Sequence, residues 1–176
     1  HDTTYDHMFL DGLEDAYEEG RAMGTFAQET ANDYQMTREE MDEYSIESLR
    51  RANAAIDSGA FADEVVPVTF STRKGEVTVE HDEQPGKGRP DKIPQLRPAF
   101  AKDGTITAAT SSSISDGAAA VVLSRESVAK ANGQQAVAKI VAMAAHAQEP
   151  AQFTVAPIGA IEKVLDKAGW SADEVE

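Results

Sequence analysis

The sequence predicts an α/β protein in which helices and short strands are mixed along the chain, and three observations predict it. Capping signals precede apolar residues at helical spacing, most clearly from Thr37 to Gly59. Two β-type runs, Val65 to Phe70 and Glu76 to Glu80, flank a loop that ends in glycine. A hydroxyl-rich turn then feeds the continuously apolar run Ala118 to Leu123. That is the pattern of a buried strand in a sheet covered on both faces.

The 176 residues suffice for one core, with 27% charged and 41% hydrophobic side chains, as in a soluble globular protein. The formal net charge of -15 argues against nucleic acid as a partner, because phosphate backbones are bound by Lys and Arg. It argues in the same way against an anionic membrane surface. Cysteine is absent, which excludes disulfides, thiolate metal sites and a cysteine nucleophile among these residues. No apolar run approaches the ~18 residues of a membrane span, and no signal-peptide pattern opens the chain, so a cytoplasmic protein is expected.

His1, Asp2, Asp6 and His7 lack the fixed frame that a metal site needs, and no metal site is expected. Leu13 to Gly24 has an acidic start and a glycine at Gly20, the marks of a first helix. Thr25 and Gln28 read as a capping box for a second short helix carrying Phe26, Ala27, Thr30, Ala31 and Tyr34. Thr37 and Glu40 open the longest helix, which Gly59 terminates in a left-handed cap. Its charged face, Glu39, Asp42, Glu43, Glu47, Arg50 and Arg51, reads as solvated surface. Val65 to Phe70 and Glu76 to Glu80 form a hairpin over a five-residue loop, Ser71 to Gly75, with Pro67 marking an edge strand.

Residues 81–98 hold four of the seven prolines and the densest basic cluster, Lys87, Arg89, Lys92 and Arg97. This long surface excursion is either a plain linker or a clamp for an anionic ligand, which in so acidic a chain would settle on a local basic loop. The stretch from Thr105 to Leu123 organises the rest. Thr110, Ser111, Ser112 and Ser113 precede a turn at Ser115-Asp116-Gly117. Such a stretch is a loop ahead of a core strand, or a place where small side chains let a ligand approach the backbone. Ser124 opens a short helix ended by Asn132-Gly133. Ala136 to Ala144 is a second apolar strand. Pro157 then starts a helix that Gly169 caps, and Ser171 with Glu174 signals one more helix start.

Several motifs in order resemble those of thiolases. Asp11-Gly12-Leu13, Asp15-Ala16-Tyr17 and Met23-Gly24-Thr25 match one family segment. Thr37-Arg38-Glu39-Glu40 with Asp42, Ser48 and Ala52 match another. Gly59 to Pro67, Leu96 to Phe100, Asp103-Gly104-Thr105, the run TAATSSSISDGAAAVVL and Ala168-Gly169-Trp170 follow in family order. The resemblance implies a piece of a thiolase-like fold, which is two similar halves with an inserted loop domain. Residues 1–110 would be a mostly helical loop domain with a hairpin. Residues 111–133 would be the last strand and helix of the N-terminal half, and 134–176 the start of the C-terminal half.

The resemblance also implies a chemistry, that of an acetyl-CoA acetyltransferase that condenses or cleaves 3-ketoacyl-CoA. One cysteine takes the acyl group, a histidine activates it, and a second cysteine moves a proton at the α-carbon. Those groups would lie before residue 1 and after residue 176, so these residues alone are expected to be inactive. Coenzyme A esters are the implied substrate, no cofactor is implied, and the implied assembly is a homodimer or homotetramer. Ser112 matches the serine that touches the pantetheine arm. Phe100, Ala108, Leu13 and Met23 match apolar residues along it, and Lys87 or Arg89 would meet the adenosine phosphates. Ala22 stands where many members have His, and Thr110 where many have Asn. His81 and His146 match no catalytic histidine and read as surface or packing residues. The alternative is a thiolase-like module without catalysis, binding CoA or serving assembly.

Overall fold

The computed structural model describes residues 3–175, so His1 and Asp2 of the dismissed metal cluster lie outside the described residues. The chain forms two compact units, His1–Ser112 and Ser113–Glu176. Among the described residues the buried side chains lie in the first: Phe26, Ala31, Ile93 and Ile106, with the polar Gln28, Asp42 and Thr107.

A single π-helical turn, Phe9–Leu13, opens the first unit. The helix expected over Leu13 to Gly24 does not form. The Asp15 carboxylate accepts from the N–H groups of Tyr17 (2.9 Å) and Glu18 (2.7 Å), which withdraws them from a helical ladder. Gly20, at φ +81°, turns the chain back so that Glu14 and Ala22 pair as an antiparallel bridge.

Helix α1 spans Met23–Asp33. Its start differs from the predicted capping box: Ala22 is the N-cap, and Thr25 donates its hydroxyl to the Ala22 carbonyl at 2.7 Å. Gln28 is buried and turns away from the helix end. Gln35, at φ 53°, ends the helix, and Met36 N–H reaches the Ala31 carbonyl at 2.8 Å. This left-handed ending is one that glycine usually supplies.

Helix α2, Arg38–Asp57, has the predicted capping box. Thr37 N–H donates to Glu40 at 2.9 Å, and Thr37 Oγ1 accepts from Glu40 N–H at 3.2 Å. The backbone bond from Thr37, followed by its hydroxyl, holds the Glu40 carboxyl below its ordinary value. Gly59, at φ +70°, supplies the expected left-handed ending. The solvated-face reading fails at Asp42, which is only 5% exposed and accepts from Arg38 Nε at 2.7 Å.

Strands β1, Val68–Thr72, and β2, Gly75–Val79, form an antiparallel hairpin with Phe70 opposite Val77. The turn is two residues long instead of five. Thr72 Oγ1 accepts from Lys74 N–H at 3.1 Å and donates to the Gly75 carbonyl at 2.8 Å, carrying the ladder two residues further. Turns from Gly59 to Val65 displace the first strand towards the C-terminus, leaving Pro67 just ahead of it. The excursion is more ordered than predicted. Asp82 caps helix α3, Glu83–Lys87, and a 3-10 helix follows over Pro90–Gln95.

In the second unit, helices α4, Glu126–Ala131, and α5, Ala156–Ala168, form where expected. Helix α4 starts after Arg125, and Ser124 is not its cap. Pro157 lies in the first turn of α5, and Gly169, at φ +70°, caps it. The Ser171–Glu174 capping box opens a single 3-10 turn. The two predicted buried strands do not form. Val122 and Val137 are 94% and 103% exposed, and neither run has a ladder partner among the described residues. An apolar run supplies the material of a buried strand, but a strand needs a second backbone to take its N–H and C=O groups. Residues 141–146 still alternate in burial, with Ala142, Ala144 and His146 half-buried. His146 packs on Gly159, where a Cβ would stand 2.7 Å from its ring, and its Nδ1 lies 2.9 Å from Lys163 Nζ. A cavity of about 630 Å³ between this run and α5 is lined by Ile140, Ile161, Leu165, Trp170 and Val175.

Candidate coenzyme A surface

The predicted site residues, none of them catalytic, all fall in the first unit. Leu13 ends the π-helical turn, and Met23 opens α1. The Glu14–Ala22 bridge sets these two residues on either side of the same backbone pairing. Phe100 lies against the first turn of α1. A Cβ on Gly24 would stand 2.1 Å from Phe100 Cζ, so glycine is required there for the ring to lie on the helix backbone. Met23 is half-buried beside it, and Leu13 is 37% exposed.

Ala108 and Ser112 belong to a turn built by hydroxyl groups. Thr107 is completely buried. Its carbonyl accepts from Ser111 Oγ at 2.8 Å and Thr110 Oγ1 at 3.2 Å, and its N–H donates to Thr110 Oγ1 at 2.9 Å. Ala109 N–H donates to Thr107 Oγ1 at 3.2 Å. This arrangement leaves Ala108 and Ser112 exposed on the outside of the turn. Thr110, which stands where many thiolases have Asn, is thus part of the turn's own bracing.

Three of the four basic residues of the excursion have local partners. Lys87 pairs with Glu83 at 3.0 Å, one turn back on α3. Arg89 donates to the Gly88 carbonyl at 2.9 Å and the Gly86 carbonyl at 3.4 Å. Lys92 lies 3.9 Å from Asp91, and Arg97 is exposed. What the structure fixes is the backbone beneath them. Arg38 Nη2 donates to the carbonyls of Ile93 (3.1 Å) and Leu96 (2.9 Å), tying the 3-10 helix to α2. Gly88 lies on the same helix, with Leu49 Cδ2 2.5 Å from where its Cβ would be.

Sequence reasoning placed Gln28 in a capping box and Gly24 and Arg38 in motifs, and missed the contacts that each of them makes. Gln28 is a polar residue inside an apolar stripe between Phe26 and Ala31, and that position was the available signal. Among the described residues no three His, Cys, Asp or Glu come together as a metal site. His81 lies exposed, 3.7 Å from Glu80. No helix among the described residues is long and apolar enough to cross a membrane.

Residues 1–127 match the family described as thiolase, N-terminal domain. The chain belongs to the thiolase family. An acetyl-CoA acetyltransferase of Rhizobium meliloti is 45% identical over 172 residues, which is 97% of this chain and 44% of that protein. One from Yarrowia lipolytica is 46% identical over 170 residues, 97% of this chain and 43% of its own length. The thiolase of Ascaris suum solved in complex with coenzyme A is 41% identical with a TM-score of 0.86, over 97% of this chain and 43% of that one. The α/β mixture of helices and strands is therefore a portion of the thiolase fold, and the chain spans less than half the length of the relatives it matches.

Proposed function

We propose that this chain is the coenzyme A-binding portion of an acetyl-CoA acetyltransferase. The whole protein would condense two acetyl-CoA molecules, or cleave acetoacetyl-CoA and other 3-ketoacyl-CoA esters by thiolysis. The observation that carries this reading is the 41% identity and 0.86 TM-score to a thiolase solved with coenzyme A, across 97% of the chain. The local geometry supports it. Leu13, Met23, Phe100 and Ala108 offer apolar surface on one unit, and Ser112 offers a hydroxyl beside Ala108. An extended thioester arm needs such a surface, mostly apolar with a few placed polar groups.

Acyl transfer from a thioester needs a soft nucleophile and a group to move its proton. This chain contains no cysteine, so its own part is to bind and orient the ester. The division of the chain at Ser112–Ser113 supports a loop domain over 1–110 followed by parts of the two halves. The exposed apolar runs 118–123 and 136–144 suit strands of those halves that pair with further chain. The assembly would be a homodimer or homotetramer working in the cytoplasm.

The test is thiolysis. The full-length protein that carries these residues is expected to consume acetoacetyl-CoA in the presence of CoA, and the 176 residues alone are expected not to. A full-length protein that binds CoA without turning it over would leave a non-catalytic thiolase-like module. One that does neither would end the reading.

A further inference from the structure

We propose that Gln28 is a positioning residue of this surface, its buried amide clamping the backbone of Thr105 and Ile106 so that Ala108 and Ser112 are presented to coenzyme A. This inference rests on the coenzyme A reading above.

Gln28 is 5% exposed on α1 and makes its contacts across 77 and 78 residues of sequence. Its Oε1 accepts from Thr105 N–H at 2.9 Å and from Ile106 N–H at 3.2 Å. Its Nε2 donates to Thr105 Oγ1 and to Asn32 Oδ1, each at 3.1 Å. An amide has two donors and one oxygen with two lone pairs, and here all are used. A buried polar group satisfied in this way specifies one geometry, because any shift of the partner strands it in a low-dielectric site. Gly104 closes directly over the amide: a Cβ there would stand 2.5 Å from Oε1.

The clamp acts on the residues that follow. Thr107 is fully buried next to Ile106, and its carbonyl and N–H brace the hydroxyls of Thr110 and Ser111. Fixing Thr105 and Ile106 therefore fixes the base of the turn that carries Ala108 and Ser112. Gly24, which receives the Phe100 ring, lies four residues before Gln28 and so on the same face of α1. One helix face thus sets both the aromatic wall and the hydroxyl turn.

The experiment uses the full-length protein. Gln28→Leu removes both acceptor bonds, and Gln28→Glu keeps an oxygen facing Thr105 and Ile106. Backbone amide exchange is read over Thr105 to Ser112, with the Kd for CoA and the KM and kcat for acetoacetyl-CoA. Gln28→Leu is expected to speed exchange and to raise Kd and KM about tenfold with kcat nearly unchanged, and Gln28→Glu, which keeps the acceptor but loses both donor bonds, is expected to restore them only in part. Faster exchange with an unchanged Kd would overturn the presenting role and leave the coenzyme A reading standing. Unchanged exchange would overturn the clamp itself. A wild-type protein that binds no CoA would remove the coenzyme A reading, and this proposal with it. Should Gln28→Leu fail to fold, Thr105→Val deletes only the hydroxyl bonded to Nε2. It is expected to raise Kd about threefold, and no change would overturn the proposal.

Discussion

Ser112 and its neighbours show how a single position in a hydroxyl-rich run can be set apart from the others. Thr110 and Ser111 spend their hydroxyls on the Thr107 backbone, which leaves Ser112 exposed at the end of the braced turn. Its removal should therefore cost ligand binding and little stability. Ser112→Ala is expected to weaken coenzyme A ester binding by about 0.5–1.5 kcal/mol, the net worth of one neutral hydrogen bond. The KM for acetoacetyl-CoA checks it, and an unchanged value would count against the assignment of Ser112. Thr107, by contrast, is fully buried and bonded on its N–H, carbonyl and hydroxyl, so any loss there belongs to folding.

At the scale of elements, helix α2 is the frame for the basic excursion. Arg38 joins the buried Asp42 to two carbonyls of the 3-10 helix Pro90–Gln95 and its following residue. Arg38→Ala is expected to destabilise the first unit by about 2–3 kcal/mol, because it strands a buried carboxylate and two carbonyls together. Chemical denaturation checks this, and a loss below about 0.5 kcal/mol would mean that water replaces the guanidinium without penalty. The sequence made α2 legible through Thr37, Glu40 and Gly59, since caps act on neighbouring residues. It hid the Arg38–Asp42 pair, because an i,i+4 pair looks the same on a solvated face as against a partner element. It misled at Leu13 to Gly24, where the Asp15 carboxylate competes for backbone donors, and at Gln28, whose partners lie 77 residues away. The proposed site residues come from the motif resemblance alone. The contacts of Gln28, Gly24 and Arg38 were not legible, because long-range hydrogen bonds and close backbone approach leave no periodic signal.

Across the whole molecule, charge opposes the proposed ligand. Coenzyme A carries phosphates, and the chain carries a formal net charge of -15. Lys87 and Arg89 are the local exception, but Glu83 and the loop carbonyls engage them, so binding must draw them off those partners. The two effects separate with ionic strength, because the Debye length falls from roughly 30 Å at 0.01 M to roughly 8 Å at 0.15 M. Long-range repulsion is screened over that range, whereas direct contacts at a few ångströms are screened far less. The Kd for CoA is therefore expected to stay level or tighten between these two salt concentrations, against the usual weakening of an anion on a basic patch. Lys87→Ala combined with Arg89→Ala is expected to weaken CoA several-fold and to leave its dephosphorylated analogue nearly unchanged, each pair being worth about 1 kcal/mol. Calorimetric titration of both ligands at both salt concentrations reads all four values. Equal losses for the two ligands would show that the excursion does not meet the phosphates. Steady weakening with salt would show that the local cluster outweighs the field of the whole chain.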